Sequence, residues 1–460
     1  MFNAQIYIER RNRLKQLVKS GLILLLGNEE SPMNYTDNTY HFRQDSTFLY
    51  YFGLDFPGLA AIIDVDENKE TVFGNELTID DIVWMGTQPT LKEKSERMGV
   101  HITKPTGELI EILSNVKTKG TGIHFLPPYR PENKLKLFHL LKVDPFKTDE
   151  TASVELIKAV VSQRNYKTEE EIAEIERAVD VSVDMHVAAM KLAKPGMKEY
   201  ELTGEVHKIA LAAGGDIAFP IILTINGQTL HNHFHGHTMK EGNLLLCDYG
   251  YETPMHYCGD LSSTVPVSKT FNPRQKEIYT IALQAHNAAI KALKPGLNFR
   301  EVHLNACKTL ATGLKEIGLM KGNIEEAVSQ GAHALFFPCG TGHMMGLDVH
   351  DMEDIGEVYV GHNGQPKSTQ FGLKSLRLAR PLEPGFVLTI EPGIYFIPEL
   401  IDRWKSEKRF LDFINYDKVE TYKDFGGIRN EENFLITSTG HKRLGKPKPK
   451  TIEEVESLRN

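Results

Sequence analysis

The sequence predicts a mixed α/β protein of the α+β kind, built as two domains, and three observations lead there. A chain of 460 residues is longer than one ordinary core serves. Its first third alternates short apolar runs with helical stretches, and its second half repeats a pattern of strand, tight turn and polar residue. It also carries an internal repeat. HVAAMKLAKPGMKEYE (186–201) and HNAAIKALKPGLNFRE (286–301) share half of their positions at an offset of 100 residues. That spacing is too long for a solenoid unit, so it predicts one domain made of two similar halves, each led by a helix.

Taken in order, MFNAQIYIERRNRLKQLVKSG is charged throughout and reads as an amphipathic helix. It lacks the apolar core and small-residue cleavage site of a secretory signal. GLILLLG (21–27) and the apolar part of FPGLAAIIDVD (56–66) read as buried strands. The polar, turn-prone stretch from Pro145 to Ala152 is the expected domain boundary, which gives domains 1–152 and 153–460. Thr168 with Glu171 forms a capping-box pattern that opens a long helix. Lys194-Pro195-Gly196 ends that helix, and Lys294-Pro295-Gly296 ends its repeat. His186 and His286 lie inside these helices and read as packing residues. Beyond them, FFPCGTGHMMGLDVHD (336–351), FVLTIEPGIYF (386–396) and FGGIRNEENFLIT (425–437) each place ionisable residues beside an apolar strand. The lysines at 446, 448 and 450 read as a solvated tail.

Composition is that of a globular protein, with 41% hydrophobic and 25% charged residues. A net charge of −8 gives no reason to expect a nucleic-acid partner, and no stretch is apolar and long enough to cross a membrane. The four cysteines, Cys247, Cys258, Cys307 and Cys339, show no CxxC spacing, so a reducing cytoplasm is the expected location.

Five residues stand out on or beside the later strands: Asp248, Asp260, His343, Glu391 and Glu431. A buried carboxylate is costly unless it is paired or binds a metal. Four together would raise one another's pKa values, and divalent cations remove that conflict. An oxygen-rich set with one imidazole suits Mn²⁺, Co²⁺, Fe²⁺ or Zn²⁺ better than Ca²⁺, and it is too large for one tetrahedral zinc. Two ions roughly 3.5–4 Å apart, bridged by carboxylates and a hydroxide, would use all five. Taken singly, each residue reads more readily as a strand-end turn or a capped loop than as a ligand; the set is more specific than its members.

In these blocks the sequence resembles the pita-bread metallopeptidases, the family of methionine aminopeptidase, aminopeptidase P and prolidase. DYG…GDLSSTVPV, GTGHMMGLDVHD, LTIEPGIYF and FGGIRNEE follow its signature order, and the likeness runs through residues 155–445. YHFRQDSTFLYYFGL (40–54) is similar to the N-terminal domain of aminopeptidase P and prolidase, which methionine aminopeptidases lack. The resemblance implies a creatinase-like N-terminal α/β domain followed by a duplicated pita-bread catalytic domain. It also implies two divalent metal ions, Mn²⁺ foremost. Asp248 would ligate one, Asp260 and Glu431 would bridge both, and His343 and Glu391 would bind the other. Glu431 rather than Glu432 fits the family spacing.

The same resemblance makes Glu391 the general base. His231 and His350 become catalytic and substrate-binding groups that donate to the developing oxyanion. Arg377 and Arg429 become substrate-binding, Arg377 through a bidentate carboxylate pair, while Arg429 fits equally as a partner of the ligand carboxylates. His233, His235 and His237 match no family role and read as solvated or structural. Cys339 stands where the family usually has a histidine, and a thiol cannot offer the same charged donor. The implied activity is hydrolysis of the bond between a first residue and a following proline, by attack of a metal-bridging hydroxide. Aminopeptidase P is the branch preferred, prolidase the alternative, and a metal-free binding protein on the same fold the remote one. Expected partners are peptides with proline second and further copies of the chain, as a dimer or tetramer.

Overall fold

The computed structural model describes residues 1–459. The chain divides into two compact units: Met1–Arg164 with Met352–Tyr359, and Asn165–Asp351 with the chain from Val360 onward. The first unit is built on a five-stranded sheet. Its strands are β1 (Leu22–Leu26), β2 (Ala60–Asp64), β3 (Lys69–Phe73), β4 (Ile102–Lys104) and β5 (Ile123–His124), in the order β4-β3-β2-β1-β5. The pairs β1–β5 and β3–β4 are parallel, and the others antiparallel.

The N-terminal helix, Ala4–Val18, is capped by Asn3 and buries Tyr7, Arg10, Arg11, Leu14 and Val18, one stripe at helical spacing. Arg11 is fully buried, and it donates to Glu70 (2.7 Å) and to the carbonyl of Tyr51 (2.8 Å). The FRQDS block has a structural role. Asp45 caps the helix Ser46–Phe52 by accepting from the Phe48 amide at 2.8 Å. Buried Gln44 accepts from the Asn28 amide (2.7 Å) and donates to the Phe56 carbonyl (2.9 Å).

In the second unit the internal repeat is structural. The helices Glu169–Leu192 and Pro273–Ala292 each open with a capping box, from Thr168–Glu171 and Asn272–Gln275. Each gives way to a Lys-Pro-Gly turn whose glycine has positive φ (Gly196 +89°, Gly296 +83°). A second helix then follows, Glu199–Ala212 in one half and Phe299–Glu316 in the other. The strands are β6 (Asp216–Ile217), β7 (Ile222–Thr224), β8 (Leu244–Tyr249), β9 (Tyr251–Glu252), β10 (Leu261–Pro266), β11 (Val387–Ile390), β12 (Gly393–Tyr395), β13 (Gly427–Arg429), β14 (Glu432–Ile436) and β15 (His441–Arg443). Each half contributes one three-stranded antiparallel sheet, β10-β8-β7 and β11-β14-β15, and β12 pairs with β13, β6 with β9. The repeated histidines are wholly buried at matching places. His186 donates from Nε2 to the carbonyl of Tyr249 in β8 (3.1 Å), and His286 Nε2 lies 3.8 Å from Glu432 of β14.

The lysine run near the C-terminus corrects the sequence reading. Lys448 is buried, and its Nζ donates to the carbonyl of Ser262 (2.8 Å) and the hydroxyl of Ser263 (3.0 Å) in β10. Lys450 pairs with buried Glu432, and Lys446 reaches Asp184 at 2.6 Å. Lys448 and Lys450 clamp the strands, because each ammonium meets a carboxylate or carbonyl fixed elsewhere in the fold, whereas Lys446 is exposed as the solvated reading expects.

Candidate metal centre

Strand ends of the second unit carry the carboxylates. Asp248 sits in β8 directly opposite Ser262 of β10, and Asp260 precedes β10. Glu391 follows β11, and Glu431 lies between β13 and β14. His343 comes from an irregular segment laid against β11, where its amide donates to the Thr389 hydroxyl (3.1 Å) and its carbonyl accepts from the Thr389 amide (3.0 Å). Gly342 permits that approach, since a Cβ there would lie 2.0 Å from the carbonyl oxygen of Thr389. Gly250 does the same beside β8, where a Cβ would lie 1.7 Å from the carbonyl oxygen of Gly259.

Asp260, His343 and Glu431, all buried, each present a ligand atom, and these atoms lie within 4.8 Å of one another. His343 Nε2 is 3.3 Å from Asp260 and 3.5 Å from Glu391. Its Nδ1 contacts the carbonyl of Met344 at 3.1 Å. A carbonyl only accepts, so Nδ1 carries the proton and the Nε2 lone pair faces the carboxylates. Glu391 is the more open member, with its side chain 20% exposed.

The electrostatics explain what this set needs. Burial, then the charge of Asp248, pushes Asp260 up to about 8. Burial and the neighbouring carboxylates raise Glu391, against the pull of His343 and Arg429, and raise Glu431 well above the carboxylate range. Oδ1 of Asp260 and Oε1 of Glu431 are buried without a hydrogen-bond donor among the described residues. Such atoms are rare in folded proteins unless something else satisfies them. Acceptor oxygens without donors, clustered carboxylates and an aimed imidazole nitrogen suit divalent cations, so the residues present fit a metal centre.

Arg429 is the cation that the protein itself supplies. It is buried, and it donates from Nε to Ser262 (2.8 Å), from Nη1 to Tyr395 (2.8 Å) and from Nη2 to Asp248. Burial works to lower its pKa, and Asp248, Tyr395 and the two glutamates outweigh that and raise it. Ser262 Oγ is also within reach of Asp248 (3.0 Å) and Glu431 (2.8 Å). Asn433 holds the backbone of Asp260 in a reciprocal amide pair. Glu432, next to Glu431, faces the other way, toward Lys450, Arg443 and His286.

The remaining candidates gather at the same place. The His350 ring stands 4.4 Å from that of His343, nearly perpendicular to it. Its neighbour Asp351 forms a buried ion pair with Lys167 at 2.7 Å, which fixes the segment. His231 is exposed, and its pKa is lowered by partial burial and by the charges of Arg429, Arg377 and His350. Arg377 is half-buried and acts electrostatically on both His231 and Asp260. Cys339 is within the field of Glu391, and burial pushes its thiol up to about 12. Of the three histidines after His231, His235 is bonded to the Ile221 carbonyl (3.0 Å).

Sequence reasoning missed Ser262, Tyr395, Asn433 and Lys448. For Ser262 a signal existed: two residues past Asp260 on a strand puts it on the same face. The other three are tertiary partners with no local mark.

Known proteins resemble the chain along nearly its whole length. A family model described as metallopeptidase family M24 matches residues 173–438, and one for the aminopeptidase P N-terminal domain matches residues 7–124. The chain is 30% identical over 470 residues to a Homo sapiens protein named Xaa-Pro dipeptidase, covering 99% of this chain and 92% of that one. It is 30% identical over 468 residues to the Xaa-Pro aminopeptidase of Escherichia coli, covering 99% and 97%. Among solved structures, a zinc-substituted E. coli aminopeptidase P in complex with product superposes with a TM-score of 0.82 at 28% identity, covering 99% of this chain and 98% of that one. Proline aminopeptidase P II from Yersinia pestis gives 0.81 at 28%, covering 99% of each.

Proposed function

The chain belongs to metallopeptidase family M24, and from that premise we propose that it is an Xaa-Pro aminopeptidase, removing the first residue of peptides whose second residue is proline. The observation that carries this reading is the buried cluster of Asp260, His343 and Glu431, with acceptor oxygens that lack donors, in a chain similar to Xaa-Pro aminopeptidases along nearly its whole length. Asp248, Asp260, His343, Glu391 and Glu431 would hold two divalent ions, Mn²⁺ in our reading. When bound, such ions lower the pKa of water and polarise a scissile carbonyl.

The protein's own groups do the rest. Glu391, the more open carboxylate, takes the proton of the attacking water and returns it to the leaving proline nitrogen. His231 and His350 donate hydrogen bonds to the carbonyl oxygen as charge develops there. Arg377 holds a substrate carboxylate. Arg429 acts as a positioning residue, because its donors are engaged by Asp248, Tyr395 and Ser262. We place the protein in the cytoplasm as a homo-oligomer, dimer or tetramer, without nucleic-acid or membrane partners; no helix among the described residues is long and apolar enough to cross a membrane.

Prolidase is the second reading, favoured by the equal identity to the human Xaa-Pro dipeptidase. Hydrolysis of an Xaa-Pro dipeptide and an Xaa-Pro-Xaa tripeptide, compared with added Mn²⁺ and with a chelator, separates the two. Cleavage of the tripeptide, alone or with the dipeptide, is expected. Dipeptide-only cleavage makes the protein a prolidase. Failure to cleave either in a metal-dependent way removes the peptidase reading in favour of a metal-free binding protein.

A further inference from the structure

We propose that His303, Cys307 and His333 form a second metal site, separate from the carboxylate centre, that takes a zinc ion in a structural role. His303 and Cys307 lie one turn apart on the helix Phe299–Glu316, so both side chains leave the same face. His333 comes from the helical turn Ala332–Leu335. All three are fully buried, and their ligand atoms lie within 4.8 Å of one another. Zn–N and Zn–S bonds arranged tetrahedrally place neighbouring donors about 3.3–3.6 Å apart. Cys307 Sγ stands 3.4 Å from His303 Nε2.

Two features go beyond a buried cluster. His303 is already oriented as a ligand: its Nδ1 contacts the Thr341 hydroxyl at 2.8 Å, which turns Nε2 toward Cys307. Such an outer partner is what fixes the ring of a metal-bound histidine. His333 is the stronger observation. Among the described residues neither of its ring nitrogens has a hydrogen-bond partner within 3.5 Å, and the backbone of Val328 is close enough only to offset in part the lowering of its pKa by burial, to about 4. A Cys307–His303 hydrogen bond would satisfy those two residues and leave His333 unexplained.

The chemistry of the set is soft to borderline: two imidazoles and a thiol. That selects zinc over the hard cations that a carboxylate centre accepts. Binding expels one proton, from the Cys307 thiol, to solvent, and forms the thiolate–metal bond. The ion would tie the helix Phe299–Glu316 to the turn holding His333. Through Thr341, whose carbonyl accepts from the Glu391 amide at 2.8 Å, it would also brace the loop that ends in His343.

The test uses the full chain produced in cells grown with cobalt in place of zinc. Cobalt bound by thiolate absorbs in the near ultraviolet by sulfur-to-metal charge transfer, and a carboxylate and imidazole centre does not. The expected result is that absorption, with about one cobalt per chain beyond the carboxylate centre's complement. It is expected to vanish in Cys307→Ser and to weaken in His333→Ala. Cobalt-loaded, unmutated protein without the absorption overturns the proposal whether or not the variants fold. Absorption that survives Cys307→Ser and is lost in Cys339→Ser overturns it as well, by assigning the thiolate to the carboxylate centre.

Discussion

Replacing Arg429 by methionine removes the cation that, among the described residues, contacts Asp248, and keeps roughly the side-chain volume. The guanidinium and Asp248 are both buried, and the same side chain also satisfies Ser262 and Tyr395. Removing one partner of a buried ion pair leaves an uncompensated charge and costs about 3–5 kcal/mol. For a unit of roughly 290 residues, with an unfolding entropy of about 2.1 cal/mol/K per residue, that is a fall of ~5–8 °C in Tm. The assay is thermal unfolding with a chelator and again with saturating Mn²⁺. The gap between wild type and Arg429→Met is expected to narrow with Mn²⁺, because bound cations give Asp248 a new counter-charge. Asp248→Asn combined with Arg429→Met is expected to lose far less than the sum of the single changes. A chelated Tm within about 1 °C of wild type would refute the ion-pair reasoning. So would a gap of equal size with and without metal.

Glu431→Gln is expected to abolish metal-dependent hydrolysis with little loss of stability, since it neutralises a carboxylate whose charge is unfavourable without metal. Glu432→Gln is expected to keep metal binding and to lower stability by about 1–3 kcal/mol, because Lys450 loses its partner; calorimetric Mn²⁺ titration and urea unfolding of both variants check this. Gly342→Ala is expected to cut kcat/KM at least about tenfold, as the new Cβ forces Thr389 and His343 apart. Burial lowers His186 and His286 to about 3, so the folded state keeps both neutral while the unfolded chain takes up protons near pH 6.5. At these two sites protons therefore favour unfolding: their contribution to stability is flat above pH 6.5 and falls as the pH drops toward 3. At pH 5 each histidine costs up to about 2 kcal/mol, and urea midpoints of His186→Gln and His286→Gln are expected to show a shallower fall than wild type.

What the sequence could show was local. The Thr168–Glu171 box, the Lys-Pro-Gly stops and the apolar run at Leu22–Leu26 are written in consecutive residues, and the structure has each of them. The carboxylates are different. Asp248 and Glu431 are far apart in the chain, and each alone resembles a turn residue; the strand-and-turn pattern groups the five, and resemblance to a family gives each its role. The choice of Glu431 over Glu432 came from family spacing; the physical reason is that adjacent residues of an extended chain face opposite ways. Lys448 misled because a short basic run has the composition of a solvated tail, and composition carries no information on the carbonyl that will meet an ammonium. Ser262 binds three site residues and reads in sequence as one serine in a strand.

Anomalous diffraction at the manganese edge, from crystals of the full chain equilibrated with Mn²⁺, tests the central claim most directly. Two peaks are expected, enclosed by Asp248, Asp260, His343, Glu391 and Glu431, with Asp260 and Glu431 contacting both. A single peak, no peak, or a pair held by other residues would contradict the dinuclear centre.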